Sequence, residues 1–373
     1  LVDKATFPRD KCCGDGLTTG ALRRLEALGL DPTAVASWQV VHDVVVASSS
    51  GHTVTFPLPR DAGLYGVVAR RVDLDAAVLD LARAAGVKVY DGHAVEGARV
   101  DGRGVFVDVA GLGTIGAHYA VGADGMWSPM RKAILGDDDA AGYLGEWHAF
   151  RQYFTGVGPA AAEKLWVWFE ADLLPAYVWS FPLPGGGANV GFGILRRAGE
   201  PTKSMKAQWA DILRRPAIAA VLGPEARPES PHKAWPIPAR VERTALSGGG
   251  GRVLFAGDAA RAADPMTGEG IGQGLDTGVL AAEAILAAGS AAPEHAAARY
   301  EAAIHQGLAI DNRLARFLSD HVLAHRKGVR AAVRVAGLTP WTRRNFARWL
   351  FEDYPRAVLA TPARWHPRML TGP

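Results

Sequence analysis

Arg252-Val-Leu-Phe-Ala-Gly257-Asp258-Ala-Ala-Arg-Ala-Ala-Asp264-Pro265-Met-Thr-Gly268-Glu269-Gly270-Ile271-Gly-Gln-Gly-Leu275 decides the fold of this chain. Val253 to Ala256 is a short apolar run with β-branched and aromatic residues, which predicts a buried strand. Asp258 then stands at the carboxyl end of that strand, where open α/β sheets place their ligands. A carboxylate there accepts hydrogen bonds from a chain of hydroxyls. Pro265 and the glycines around it allow backbone to approach a flat ligand. The helix expected from about Gly270 aims free N–H groups and a partial positive charge at that ligand. The plainer reading is an ordinary strand-turn-helix joint of an α/β protein.

The chain opens at Leu1-Val-Asp3, which reads as the tail of a strand ending in an acid. In a dinucleotide-binding fold such an acid holds a ribose hydroxyl, roughly 20 residues after a glycine-rich turn. No such turn precedes Asp3. The expectation is a fragment lacking a first strand, phosphate loop and helix, on the order of 30 residues. The alternative is that Asp3 is a surface acid.

At 373 residues the chain exceeds a single typical core, so two lobes are expected. Charged residues at 21% and hydrophobic ones at 49% are ordinary for a globular enzyme. A net charge of +3 is too small to argue for nucleic acid. Cys12 and Cys13 are neighbours and make no stabilising framework, which points to a reducing cytoplasm. No run is long and apolar enough to span a bilayer. The best candidate, Val279 to Ala288, is short and carries Glu283. No metal ligands are assigned, and nothing in the sequence sets an oligomeric state.

Lys11 to Leu17 forms a tight glycine loop before a helix predicted over Thr18 to Leu28. Val40 to Ala47 and Thr53 to Phe56 read as strands, and Arg71 to Gly86 as an amphipathic helix. Val87 to Val89, Phe106 to Val109 and Thr114 to Val121 read as strands, the last running into Gly122-Ala-Asp124-Gly. From Gly142 to Val241 aromatic residues cluster and alternate, which predicts an antiparallel sheet forming a substrate lobe. From Pro293 onward the chain is helical and basic.

Four motifs in order carry a family resemblance. Gly257 to Ile271 resembles the second FAD-binding motif of flavoprotein monooxygenases and of their relatives, the geranylgeranyl reductases. Gly122-Ala-Asp124-Gly-Met-Trp-Ser-Pro-Met-Arg131 resembles the Asp-Gly motif of the same superfamily, although strand-end Asp-Gly turns are common. Phe7-Pro-Arg-Asp-Lys-Cys12-Cys13-Gly14-Asp-Gly16-Leu-Thr18 resembles the cysteine-glycine loop of the geranylgeranyl reductases. Leu174-Pro-Ala-Tyr177-Val-Trp179-Ser-Phe181-Pro182 resembles their Tyr-x-Trp-x-Phe-Pro substrate motif. The sequence departs from that family at Cys12, an extra cysteine, and at Thr19-Gly20, where Pro-Arg is frequent.

The resemblance implies an α/β fold: a Rossmann-like FAD-binding lobe (residues 1–45, 68–141 and 246–292), an antiparallel-sheet substrate lobe (46–67 and 142–245) and a C-terminal helical region (293–373). It implies that Asp3, Cys13, Gly14, Gly16, Arg71, Val95, Asp124, Gly257, Asp258, Pro265, Gly268, Gly270 and Ile271 bind FAD. A guanidinium at Arg71 suits the phosphates, and Val95 the adenine. A solvated helix-start arginine is the bland alternative. Tyr177, Trp179 and Phe181 alternate on a strand, so their rings share one face. They form either a wall for an apolar hydrocarbon or ordinary core packing. Cys13 is either a catalytic thiol on a glycine loop or a small residue filling space.

The implied chemistry is reduction of isoprenoid carbon-carbon double bonds by hydride from reduced FAD. The substrate would be a geranylgeranyl lipid or the prenyl tail of a quinone such as menaquinone, with NAD(P)H or another reductant as transient electron donor. Aromatic faces such as Tyr177 and Trp179 would support developing positive charge. Three alternatives stay open: an aromatic hydroxylase of the same fold, a flavin halogenase (whose Trp-x-Trp-x-Ile-Pro signature is not matched) and a non-catalytic flavin-binding fragment. Arg343, Arg344, Arg348 and Arg356 with Trp341, Phe346, Trp349, Phe351 and Trp365 suggest peripheral contact with the inner membrane surface. The alternative there is a helical cap with a solvated basic face.

Overall fold

Val253–Phe255 is a strand with no exposed surface, and the 18-residue helix Ile271–Ala288 follows it. The computed structural model describes residues 1–60, 63–140, 142–196 and 205–365, so the last eight residues of the expected C-terminal region lie outside the described residues. The chain divides into two compact units. One holds residues 1–9, 75–146 and 236–315, and the other holds 10–74, 147–235 and 316–373. The division falls inside the helix Arg71–Ala84.

In the first unit Val253–Phe255 lies parallel to Ala120–Gly122 and antiparallel to Ser247–Gly248. A second parallel pair joins Val2–Asp3 to Tyr90–Asp91. Val95–Asp101, Gly104–Val109 and Gly113–Ala117 form an antiparallel meander. The single strand expected over Thr114 to Val121 is therefore two strands in different sheets. The strand expected at Val87 to Val89 begins instead at Tyr90. Leu254, Phe255, Ala281, Tyr300 and Ile304 share one core, in which the Tyr300 hydroxyl donates to the Phe255 carbonyl at 2.5 Å. That bond lets a polar ring sit in an apolar interior.

In the second unit one sheet runs in the order Arg227–Pro228, Trp147–Thr155, Gly187–Leu195, Val178–Leu183, Leu165–Phe169, Asp43–Ser48, Thr53–Pro57. Its pairings are antiparallel except that of Leu165–Phe169 with Asp43–Ser48, which is parallel. Those two strands are separated by a long stretch of chain, and only such a connection allows parallel neighbours. Both faces are buried. Val44, Val46, Phe56, Tyr153 and Leu183 pack with Val329, Val333, Ala347 and Phe351 of C-terminal helices. Phe150, Trp168, Val178, Val190 and Phe192 pack with Trp209, Ile212 and Ile218 on the opposite face. Burial on both sides explains runs such as Val44-Val-Val-Ala47, which show no polar alternation. Thr18 caps the helix Thr19–Ala27, and Gly16–Thr18 pairs with Gly66–Val68. Among the described residues no helix is long and apolar enough to cross a membrane.

Candidate functional site

The glycine-rich joint of the first unit is tightly built. Gly257 takes φ 58° as the strand turns into a short 3-10 segment, and its N–H donates to Thr277 Oγ1 at 2.9 Å. A side chain is strained at that φ, so the position favours glycine. A Cβ added to Gly270 would lie 3.8 Å from Asp258 Oδ1, so bare backbone runs beside that partly exposed carboxylate. Buried Asp264 shapes the turn at Pro265: its Oδ1 accepts from the N–H of Met266 at 2.7 Å and of Thr267 at 3.0 Å. Gly268 follows at φ 74°.

Gly270 is the N-cap of the long helix, yet the helix end is not bare. Glu269 Oε1 accepts from the N–H of Ile271 at 3.0 Å and of Gly272 at 2.9 Å. The expectation of free N–H groups there is corrected. A carboxylate two residues upstream satisfies them, as unpaired donors at a helix start demand. Further along, Cβ atoms added to Gly274 and Gly278 would meet none of the described residues within 4 Å, so this helix has two open glycine positions one turn apart.

Asp124 turns inward. Ser128 Oγ donates to its Oδ1 at 2.5 Å and the Met130 N–H to its Oδ2 at 2.8 Å, capping the helix Pro129–Leu135. Arg131 is buried, bound to Asp139 and to the carbonyls of Ala245 and Ala259, with its guanidinium 4.6 Å from the Phe255 ring centroid. Asp3 ends its parallel strand and accepts from the Ala5 N–H at 2.8 Å. Val95 opens its strand at a register shift between Val95 and Gly97.

In the second unit the cysteine loop and the aromatic strand meet. Tyr177, Trp179 and Phe181 form a ladder with ring centroids 6.0 and 6.1 Å apart, and Phe169 extends it beyond Tyr177 at 6.0 Å. A Cβ on Gly16 would stand 3.1 Å from Phe181 Cε2, and one on Gly14 3.4 Å from the same atom. The loop glycines therefore let backbone lie on the ladder. Beneath Trp179 sits Gly191, where any Cβ would collide with the indole and with the Phe150 carbonyl. Arg71 is the first residue of its helix, next to Arg70, whose guanidinium grips Glu229 with two bonds of 2.6 Å.

Between loop and ladder lies a buried polar cluster that sequence reasoning missed. Asp15, between two glycines at φ 65°, is wholly buried. Its Oδ2 accepts from the Tyr153 hydroxyl at 2.6 Å and from Asn189 Nδ2 at 2.8 Å, while Oδ1 has no hydrogen-bond partner among the described residues. Burial pushes its pKa up from 3.8 to about 6, against the pull of those two bonds and of Arg151 and Arg71. Arg151 is also buried. It binds both oxygens of Asp10, at 2.8 and 2.7 Å, and stacks 4.1 Å from the Tyr153 ring centroid. Burial raises the Asp10 pKa, but bonds from Lys233 and Arg151 outweigh it and hold the carboxyl below its ordinary value. Burial also pushes the Cys12 thiol up to about 12, which keeps it protonated. The available signals were the Gly14-Asp15-Gly16 sequence and a lone Asn189 in an otherwise apolar strand.

At the C-terminus Arg348 and Arg356 are buried, not displayed. Arg348 Nε donates to Asp353 at 2.6 Å, and Arg356 Nη1 to the Trp349 carbonyl at 2.6 Å. Phe351 is buried as well. These three are corrected out of the expected basic-aromatic face: both guanidinium groups are spent on the helix end and the chain that follows it, and Phe351 packs on the sheet. Trp341 and Trp365 remain exposed.

The first unit fits the hydroxyl-rich and flat parts of an FAD: a carboxylate at a strand end, glycines at positive φ and open glycine positions on the following helix. The comparisons agree. The FAD binding domain family model matches residues 1–308. The chain is 32% identical over 312 residues to the menaquinone reductase of Mycolicibacterium smegmatis, covering 78% of this chain and 70% of that protein. It is 29% identical over 260 residues to a digeranylgeranylglycerophospholipid reductase of Methanosarcina mazei, covering 66% and 59%. Its fold is that of a geranylgeranyl bacteriochlorophyll reductase-like protein from Thermoplasma acidophilum, with TM-score 0.72, 18% identity and coverage of 99% and 90%. A probable FAD-dependent monooxygenase from Pseudomonas aeruginosa shares the fold at TM-score 0.64, 21% identity and coverage of 89% and 91%. With a family model across most of its length and a relative above 30% identity over most of both chains, the protein belongs to the FAD binding domain family of flavoprotein oxidoreductases, alongside menaquinone and geranylgeranyl reductases.

Proposed function

We propose that the protein saturates carbon-carbon double bonds of an isoprenoid chain, either a geranylgeranyl group or the prenyl tail of a quinone. The observation that carries this reading is the ladder of Tyr177, Trp179 and Phe181, against which the Cys13 loop lies with no side chains at Gly14 and Gly16. Bound FAD, when reduced by NAD(P)H or another reductant, supplies the hydride. In this reading Asp3, Val95, Gly257, Asp258, Pro265, Gly268, Gly270 and Ile271 of the first unit would hold it. Asp258 would accept hydrogen bonds from its sugar-alcohol hydroxyls. An isolated alkene is a poor hydride acceptor, so positive charge must be supported as the bond is made. The faces of Tyr177 and Trp179 do this by cation–π attraction while excluding water. Cys13 acts on the substrate side, as a proton source or a positioning group.

The test is anaerobic incubation of the FAD-loaded protein and a reductant with menaquinone or geranylgeranyl lipid, read by mass spectrometry. A gain of two hydrogens per reduced bond is expected, lost in Trp179→Ala and Tyr177→Ala while FAD stays bound. Oxygen consumption driven by an aromatic substrate, with no prenyl chain reduced, would replace this reading by the hydroxylase.

Such a substrate resides in lipid, and one surface suits a bilayer. Between the helices Arg326–Ala336 and Pro340–Leu350, Val335, Leu338 and Trp341 are 60%, 70% and 64% exposed. Arg326, Lys327, Arg330, Arg334, Arg343 and Arg344 are exposed on the same two helices, and no Asp or Glu occurs between Asp320 and Glu352. Apolar tips among cations match an anionic lipid surface. Flotation with vesicles should rise with anionic lipid, weaken in salt and fall in Leu338→Ser with Trp341→Ser. No binding to anionic vesicles at low salt would remove the membrane contact and leave the flavin assignment intact.

A further inference from the structure

Asn189 stands on the strand Gly187–Leu195, whose register sets it opposite Tyr153 on one neighbouring strand and Phe181 on the other. It is wholly buried. A carboxamide offers two N–H donors and one oxygen acceptor. Here Nδ2 donates to the Cys13 carbonyl at 2.8 Å and to Asp15 Oδ2 at 2.8 Å, and Oδ1 accepts from Trp179 Nε1 at 3.1 Å. Both donors are thereby spent on the thiol loop and the oxygen on the ladder. The two partners on the loop lie 176 and 174 residues away in sequence, and Trp179 lies 10 residues away.

We propose that Asn189 is a positioning residue that holds the Cys13 loop and the Trp179 indole in one hydrogen-bonded unit. The inference deepens the reading of this face as the substrate side and rests on it for its catalytic consequence. Other side chains fail for definite reasons. Leucine would strand a carbonyl, a carboxyl and an indole N–H in a dry interior. Aspartate keeps an acceptor for Trp179, loses the donor to Cys13 and sets a second carboxyl against Asp15, so the pair must share a proton. Tyr153, Arg151 and Arg71 are the charged or titratable groups acting on Asp15, and Asp10 and the two cysteines lie on the same loop. Asp15 is one of two acceptors that the loop offers Asn189, the other being the Cys13 carbonyl. Tyr153 donates to the same carboxyl oxygen as Asn189, and two guanidinium groups flank the Tyr153 ring, Arg151 at 4.1 Å and Arg70 at 4.6 Å from its centroid.

The experiment uses the full FAD-loaded chain in a Cys12→Ser background, so that alkylation reports Cys13 alone. Asn189→Asp should change the Cys13 alkylation rate about tenfold, the factor that matches loss of one buried hydrogen bond. It should lower kcat for prenyl reduction by a similar factor with KM little changed. Asp15→Asn combined with Asn189→Asp relieves the carboxyl pair but restores no amide donor to the Cys13 carbonyl, so alkylation and kcat should stay near the Asn189→Asp values. Trp179→Phe, which removes one of the three bonds and keeps a ring, should shift alkylation in the same direction by less. Wild-type alkylation and kcat in Asn189→Asp, with lowered thermal stability alone, would reduce Asn189 to a packing role and overturn the proposal. So would a double variant restored to wild-type alkylation, which would trace the effect to the carboxyl pair alone, or, should Asn189→Asp not fold, unchanged alkylation in Trp179→Phe. If alkylation follows this pattern while the wild type reduces no prenyl chain, the positioning role stands and the proposed reaction falls.

Discussion

Replacing Asp15 by Asn should erase a pH dependence of stability that the wild-type protein carries. The carboxyl is wholly buried, and burial lifts its pKa from 3.8 to about 6. In the unfolded chain the same group titrates near its ordinary value. Between about pH 4 and 6 the folded protein therefore holds a proton that the unfolded chain has released. Stability from this group is full below the unfolded pKa and is lost as pH rises through the folded one. The displacement corresponds to about 3 kcal/mol. Asparagine tolerates the left-handed backbone at this position, and its oxygen still accepts from Tyr153 and Asn189. Its NH₂ replaces an oxygen that has no partner among the described residues, so any cost of the substitution does not vary with pH. Denaturant unfolding of wild type and variant should be measured at several pH values and subtracted. Other carboxylates titrate equally in both proteins and cancel. The wild type should lose about 3 kcal/mol relative to Asp15→Asn between about pH 4 and 7, and a protonated carboxylic band in the infrared spectrum near pH 5 should vanish in the variant. A flat difference, or one of opposite sign, would refute the assignment of Asp15 as a buried neutral acid.

Three further outcomes follow from the geometry. Glu269→Gln removes a fixed negative charge from the start of the helix Ile271–Ala288. Bound flavin should then become easier to reduce by about 1 kcal/mol, or ~20 mV for a two-electron couple. Potentiometry showing an unchanged or lower midpoint would sink the idea that this helix end faces the reduced ring. Gly191→Ala drives a methyl group into Trp179 and the Phe150 carbonyl, and should cost about 1–3 kcal/mol, visible as a lower Tm with altered tryptophan fluorescence. Equal stability would mean that the indole moves freely and that the ladder is not fixed. Cys13→Ser should slow alkene reduction more than reduction of the flavin by its electron donor, with Cys12→Ser milder. Equal slowing of both half-reactions in stopped flow would make Cys13 structural.

What could be read from the sequence alone is what short-range rules encode. The strand-turn-helix from Val253 to Ala288 was legible because its strand, glycines and helix lie within one contiguous span. The helix Thr19–Ala27 showed through Leu22, Leu25 and Leu28 at helical spacing, and the ring ladder through alternation at Tyr177, Trp179 and Phe181. The capping of Ile271 and Gly272 by Glu269 was equally local, but a carboxylate in a glycine loop has several acceptable roles and only coordinates choose one. Other features belong to tertiary structure alone. The parallel entry of Asp43–Ser48 beside Leu165–Phe169 depends on where a long connection returns. The burial of Arg348 and Arg356 depends on Asp353 and on carbonyls exposed where the C-terminal helix ends. Asn189 is the sharpest case. In an apolar strand it reads as a misplaced polar residue until strand register brings Cys13, Asp15 and Trp179 within hydrogen-bond reach. A buried amide has no meaning apart from its partners, and those partners are set by pairings between residues far apart in the chain.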